Sequence, residues 1–240
     1  MPFEPHPRLT TPPDDTVLWR YMDFARFMQM IQTKTLWFSR QDQFEDPLEG
    51  TYTDGELAHL HSLPKDPVGP DGSGIADGYL RGPKFMRATV FVNCWRSGSS
   101  ESLAMWDLYG KGSGIIAVKT TVALLKQAME TWHEPVFVAA VGYIDWKLAP
   151  WDNNFLVMCA RKDLSYQHES EVRAMIWNMR ALGNSSELGI HVPFDPQLFL
   201  TEVVVGPREQ GWITPLVKEV MATYRMSHPV NTSNRLKPRS

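Results

Sequence analysis

The order of segments in this chain predicts an α+β fold: a mixed or antiparallel β-sheet core with flanking helices. β-prone segments outnumber helical ones, and the two do not alternate strictly, as a doubly wound parallel fold would require. The 240 residues, 43% hydrophobic and 21% charged, suffice for a sizeable core and are too apolar for a disordered chain.

Residues 1–16, MPFEPHPRLTTPPDDT, carry prolines that deny them helix or central strand, so a flexible leader is expected there. A single domain is expected over 17–226 and a polar tail over 227–240. The domain opens on a β-prone run, 17–21, after which Asp23 can cap a helix whose Phe24, Phe27, Met28 and Ile31 recur at helical spacing. Residues 36–39 read as a second strand and 44–50 as the turn leaving it. The stretch 63–83, crowded with Gly and Pro, reads as an irregular surface excursion. A strand over 89–95 then runs through the polar turn 97–100 into a short helix over 101–109. Next come a strand over 114–119, a helix with Val122, Leu125 and Met129 on one face, and a strand over 136–144. A helix near 154–161, strands over 169–177 and 202–205, and a helix over 213–224 complete the domain.

A formal charge of −3 predicts no general pull toward nucleic acid or anionic membrane. No apolar run is long enough to span a bilayer, and Cys94 and Cys159 read as reduced core thiols, so the expected location is cytoplasmic, with no membrane partner. Nine tryptophans and twelve methionines suit either a binding cleft or a bulky core.

Three segments gather residues that a core does not need. Arg20, between Trp19 and Tyr21 on the opening strand, could fork onto a phosphate or carboxylate, or simply point outward. Around Cys94–Trp106 a strand empties into the hydroxyl-rich turn Ser97, Gly98, Ser99, Ser100 and then a helix, which fits an anion cradle or plain capping. In a strand, Glu169, Glu171 and Arg173 fall on one face, and charges at the end of an apolar strand fit either an active cleft or a sheet edge. His59 and His61 have no further ligand at metal spacing, and no metal site is expected. The run 109–114 lacks the first glycine and the Ser/Thr of a phosphate loop and reads as a turn.

These segments resemble a bacterial family catalogued as domain of unknown function 2971. The matching parts are Leu18-Trp19-Arg20-Tyr21 and the helix after it, Leu36-Trp37-Phe38-Ser39, the turn Phe44-Glu45-Asp46-Pro47-Leu48-Glu49-Gly50, Met105-Trp106 with Leu108-Tyr109-Gly110, and Glu169-Ser170-Glu171-Val172-Arg173. The resemblance runs over 17–205; Glu45 replaces the usual asparagine and Val172 the usual tryptophan. A looser similarity is to the arginine-serine-glutamate ADP-ribosyltransferases, in which a strand with Arg, a serine-rich strand end and a Glu-x-Glu strand follow in that order. That similarity implies an ADP-ribosyltransferase-like fold with NAD as substrate. Arg20 would hold a phosphate, a hydroxyl among Ser97, Ser99 and Ser100 would brace the nicotinamide ribose, Glu171 would stabilise the oxocarbenium-like ribose, and Glu169 would serve the acceptor nucleophile. The usual serine-threonine-serine run is absent, with Trp95-Arg96 where it should begin. Tyr21, Ser39, Trp95, Trp106 and Tyr109 are expected to bind NAD along the same cleft. The implied activity is ADP-ribosyl transfer to a protein or nucleic-acid acceptor, or NAD cleavage, in a toxin or phage-defence setting. Two alternatives use the same residues: a non-catalytic module binding a nucleotide or peptide, and a metal-dependent nuclease using Asp46, Glu49, Glu169 and Glu171.

Overall fold

The computed structural model of the chain describes residues 2–63, 75–109, 114–148, 152, 154–179, 187–209 and 211–236. The expected α+β architecture is present: a nine-stranded, mostly antiparallel sheet with helices packed against it.

β1 (Val17–Asp23) is a run of large residues whose alternation splits them between two layers. Leu18 and Met22 enter the main core, whereas Trp19 and Tyr21 pack on the opposite face. Asp23 then accepts a hydrogen bond from the Arg26 N–H at 2.7 Å and starts α1 (Phe24–Thr33). Phe27, Met30 and Ile31 bury one stripe of α1 against the sheet, and Lys34, left-handed at φ 51°, ends it. The chain returns as β2 (Thr35–Arg40). β4 (Ile115–Thr121) pairs with all of β1, β10 (Glu202–Val205) pairs with β4, and β11 (Val230–Thr232) adds in parallel to β10.

β3 (Val90–Ser97) forms the other half with β8 (Glu171–Trp177), paired from Val90↔Trp177 to Arg96↔Glu171, and β5 (Val136–Ala140) continues on β8. Along its opposite edge β3 meets two strands briefly. β1 pairs only at Leu18↔Ser97 and Trp19↔Arg96, and β2 only at Ser39↔Val92 and Arg40↔Phe91. Asn93, Cys94 and Trp95 are left between these two contacts, where β1 and β2 diverge toward the ends of α1. The sheet therefore opens beside residues 93–95, and the Asn93 side-chain amide bridges part of the gap by donating to the Trp37 carbonyl at 2.8 Å.

Several expectations are corrected. The N-terminal segment is not a free leader. It lies along β5, with Glu4 N–H donating to the Val136 carbonyl (3.0 Å), Ala140 N–H to Thr10 (2.9 Å) and the Thr11 hydroxyl to Val138 (2.8 Å). Phe3 and Leu9 pack against the cores on either face. The prolines remain compatible because an extended segment on a sheet edge needs only some of its N–H groups. The tail likewise contributes β11. Within the expected excursion, residues 64–74 lie outside the described ones, but α3 (Ile75–Thr89) is a helix running through Gly82 and Pro83. Gly82 serves close packing there, because a Cβ would sit 2.3 Å from the Phe155 ring. The expected strand over 136–144 divides into β5 and β6 (Gly142–Ile144); β6 leaves the main sheet to pair in parallel with β7 (Arg161–Asp163). Residues 110–113 of the glycine-rich turn also lie outside the described residues. Among the described residues no helix is long and apolar enough to cross a membrane.

Candidate active site

The sheet opening is where charged residues collect. Arg20 lies on β1 between Leu18 and Met22, so its stem starts toward the main core. Its guanidinium carbon sits 5.7 Å from the centroid of the Trp95 ring. It makes no hydrogen bond or ion pair among the described residues. Burial lowers its pKa, and nearby Cys94 and Tyr109 partly offset that effect. A partly desolvated guanidinium lacking a carboxylate is an unfavourable arrangement for a purely structural residue.

On the other side of Cys94 lies a buried ionic cluster. Arg173 donates Nε to Glu171 Oε1 at 2.8 Å and Nη2 to Oε2 at 3.1 Å; Nη2 also pairs with Glu49, and Nη1 donates to the Cys159 carbonyl at 2.7 Å. The Phe44 ring packs 5.5 Å from this guanidinium, so the turn after β2 closes over the cluster through both Phe44 and Glu49. Lys162, on β7, places Nζ 2.7 Å from Glu169, 3.1 Å from Glu49 and 3.4 Å from Glu171. Three carboxylates thus face two cations, a formal excess of one negative charge among these five side chains. Burial pushes the Glu171 carboxyl upward, but Arg173 and then Lys162 overcome it and hold the group at about 2. The Cys94 thiol donates to Glu171, and burial together with that carboxylate pushes it well above its usual range, so it is held as a thiol.

Two phenols border the cluster. Tyr143 accepts the Glu171 backbone N–H at 2.8 Å, and burial raises its pKa to about 12. Tyr109 is 44% exposed, yet its hydroxyl senses Cys94, Glu169 and Glu171, and burial followed by those groups raises it to about 12. The opening therefore has on one wall a cation without an ionic partner among the described residues, a thiol on its edge, and an ionised carboxylate behind that thiol.

The expected cofactor residues distribute unevenly around it. Glu169 is not on β8; it ends a 3₁₀ turn (Leu164–Glu169), and Ser170, left-handed at φ 45°, redirects the chain into the strand. Its carboxylate still joins the cluster, through Lys162. Tyr21, Trp95 and Trp106 belong to the core rather than to a cleft wall. Trp95 is 2% exposed, with its indole N–H on Asn93 and its ring edge-on to Phe199 at 5.5 Å; only the face toward Arg20 borders the opening. Tyr21 meets Trp106 edge-on at 4.8 Å and accepts the Ser102 N–H, while Trp106 donates to Glu101. On α4 (Leu103–Tyr109) Trp106 is buried against β1, whereas Tyr109, the helix's last residue, is half-exposed. Ser39 lies on β2 between Val92 and Gly189, at the far contact of β2 with β3.

The serine turn is ordered by its own contacts. Ser97 donates both N–H and hydroxyl to the Ser170 carbonyl (2.8 and 2.9 Å), the Ser100 carbonyl accepts from Arg96 (2.9 Å), and the Gly98 carbonyl accepts from Trp19 (2.8 Å). This ties the serine turn to the backbone between Glu169 and Glu171. Ser99 and Ser100 instead line a groove of about 430 Å³ with Trp19, Lys119, Glu202 and Arg235, adjoining the turn but on the far side of β1 from Arg20. Of that groove's two cations, Lys119 is already paired with Glu202 at 3.2 Å, and the larger cluster of charged groups lies at the opening. Sequence reasoning missed Lys162 as a member of the site. Its partners lie 7, 9 and 113 positions away, and no local spacing points to them.

No protein-family model matches the chain, and no curated protein does, so the resemblance to domain of unknown function 2971 rests on its motifs. Among solved structures the chain is similar to DarT of Thermus sp. 2.9 in complex with NAD+, with a TM-score of 0.42 and 10% identity over 93% of this chain and 98% of that one. It is also similar to that protein in complex with ADP-ribosylated ssDNA, with a TM-score of 0.41 and 10% identity over 93% of this chain and 96% of that one.

Proposed function

We propose that this protein cleaves the glycosidic bond of NAD at the sheet opening and passes the ADP-ribosyl group to a protein or nucleic-acid nucleophile, or to water. The observation that carries this reading is Arg20: a partly buried guanidinium at the opening with no anionic partner among the described residues, across Cys94 from an ionised Glu171. In this reading the NAD diphosphate supplies the anion Arg20 lacks.

As the bond from ribose C1′ to the nicotinamide nitrogen breaks, its electron pair leaves with nicotinamide, which departs neutral, and positive charge develops on the ribose. Glu171, fixed by Arg173, is the preorganised negative charge for that transition state. The acceptor then adds at C1′ and gives its proton to Glu169. Trp95 acts from beneath, holding the Arg20 guanidinium over its ring. Toxin or defence activity follows as a biological setting for such chemistry.

The test is nicotinamide release from NAD by the purified protein, followed by chromatography. Glu171→Gln is expected to lower turnover by about a hundredfold or more, the scale of one preorganised electrostatic group. Wild-type turnover in a folded Glu171→Gln protein sinks the reading.

A further inference from the structure

We infer that Lys162 is a positioning residue of this site, a shared ammonium that holds Glu169 and Glu171 in their working arrangement and balances Glu49 against them. The inference rests on the proposed reading of the opening and adds a group that the motifs do not contain.

The geometry is specific. β7 is outside the main sheet, yet Lys162 is buried, its Nζ 4.6 Å from the Tyr166 ring centroid and within 3.4 Å of an oxygen on each of three carboxylates. These come from three separate places: the turn after β2, the 3₁₀ turn and the start of β8. Arg173 reaches only two of them, Glu49 and Glu171. Glu169 has Lys162 as its cationic partner among the described residues. A flexible stem with three donors can serve three acceptors, as a planar guanidinium already committed to Glu171 cannot.

Removing the ammonium would leave three carboxylates against Arg173 alone. The groups facing Glu171 would then be Arg173 on its own strand, Cys94 and the in-register Arg96 from β3, Tyr143 from β6, Tyr109 from α4, and Glu49 and Glu169 from the two turns. Of these only the two arginines favour the ionised form by charge, and Arg96 directs its guanidinium to the Ser100 carbonyl, which leaves Arg173 as the one bonded to Glu171. The phenols and thiol are protonated near neutrality, and the two glutamates oppose it. Glu171 would therefore hold its proton to higher pH, and Glu169 would lose its fixed direction.

The experiment compares wild type, Lys162→Met and Lys162→Arg by two readouts. The first is the pH profile of NAD cleavage; the second, independent of activity, is titration of the glutamate carboxyls by carbon-13 NMR. Lys162→Met is expected to move the acid limb of kcat, and the lowest carboxyl titration, upward by about one pH unit, with Lys162→Arg restoring most of the shift. An unmoved lowest titration in folded Lys162→Met overturns the inference. If Lys162→Met does not fold, Lys162→Gln takes its place with the same expectation and the same overturning result. A wild-type protein that does not cleave NAD sinks the functional reading alone, since the carboxyl titration still decides the role of Lys162.

Discussion

Glu171 links stability to pH in a direction its surroundings fix. Its folded-state pKa is depressed from 4.5 to about 2, so its contribution is fully present above the unfolded value and is lost as pH falls from about 4.5 toward 2. Glu171→Gln should cost about 3 kcal/mol near neutrality, toward the lower end for a broken buried pair because Glu49 still engages Arg173. That difference should have fallen to a small fraction by about pH 2 and vanish below it, and urea unfolding across the acid range measures it. An undiminished difference at the acid end would show that the loss is one of packing. At this scale the sequence was informative in part. Arg20 and Glu171 are recognisable as charges on otherwise apolar strands, and Arg173, two positions on, is an evident partner. Lys162 was not, because its role comes from a short strand that returns to the cluster through the β6–β7 pairing.

Among the elements, those with their own periodicity were legible and those defined by tertiary partners were not. α1 announces itself by Asp23 and its apolar spacing, and β3 and β8 by their runs. The N-terminal segment has no period, and its structure is supplied by β5, whose outer edge would otherwise present unpaired backbone groups. Removing residues 1–15 should therefore destabilise the protein, contrary to the expectation for a free leader. It exposes that edge, uncovers the surfaces beneath Phe3 and Leu9, and breaks the Lys126–Asp14 pair (2.7 Å). The loss should be about 2–4 kcal/mol, which for a chain of this size lowers the melting temperature by several degrees. An unchanged melting temperature would return the segment to the status of a leader. The tryptophans divide similarly: Trp106, 3% exposed within its cluster, should cost about 3–5 kcal/mol on replacement by Ala, read by denaturant unfolding. A folded Trp106→Ala protein of unchanged stability would restore the indole to a ligand wall.

For the whole molecule, the feature that matters is the break in the sheet. β1 belongs to a ribbon with β4, β10 and β11, while β3 belongs with β8 and β5, and the two halves share only two residue pairs between β1 and β3. That separation is invisible in the sequence, since each strand carries an apolar core-facing pattern on both sides of the break and nothing local reports where pairing stops. A ligand that enters the opening and meets both halves would stabilise the folded state by mass action. At a hundredfold excess over its Kd, NAD should add about 2.7 kcal/mol. For a chain of 240 residues that corresponds to a rise of roughly 5–11 °C in melting temperature. Arg20→Met separates this effect from intrinsic stability. Because the Arg20 guanidinium is partly desolvated and pairs with no carboxylate among the described residues, its replacement should leave the melting temperature without ligand unchanged or higher. The same variant should lose most of the NAD-dependent rise, because the diphosphate has lost its cation. Scanning fluorimetry of both proteins with and without NAD checks the two halves of this argument at once. If Arg20→Met loses stability without ligand and keeps the full NAD-dependent rise, Arg20 is a structural residue and the anion site lies elsewhere.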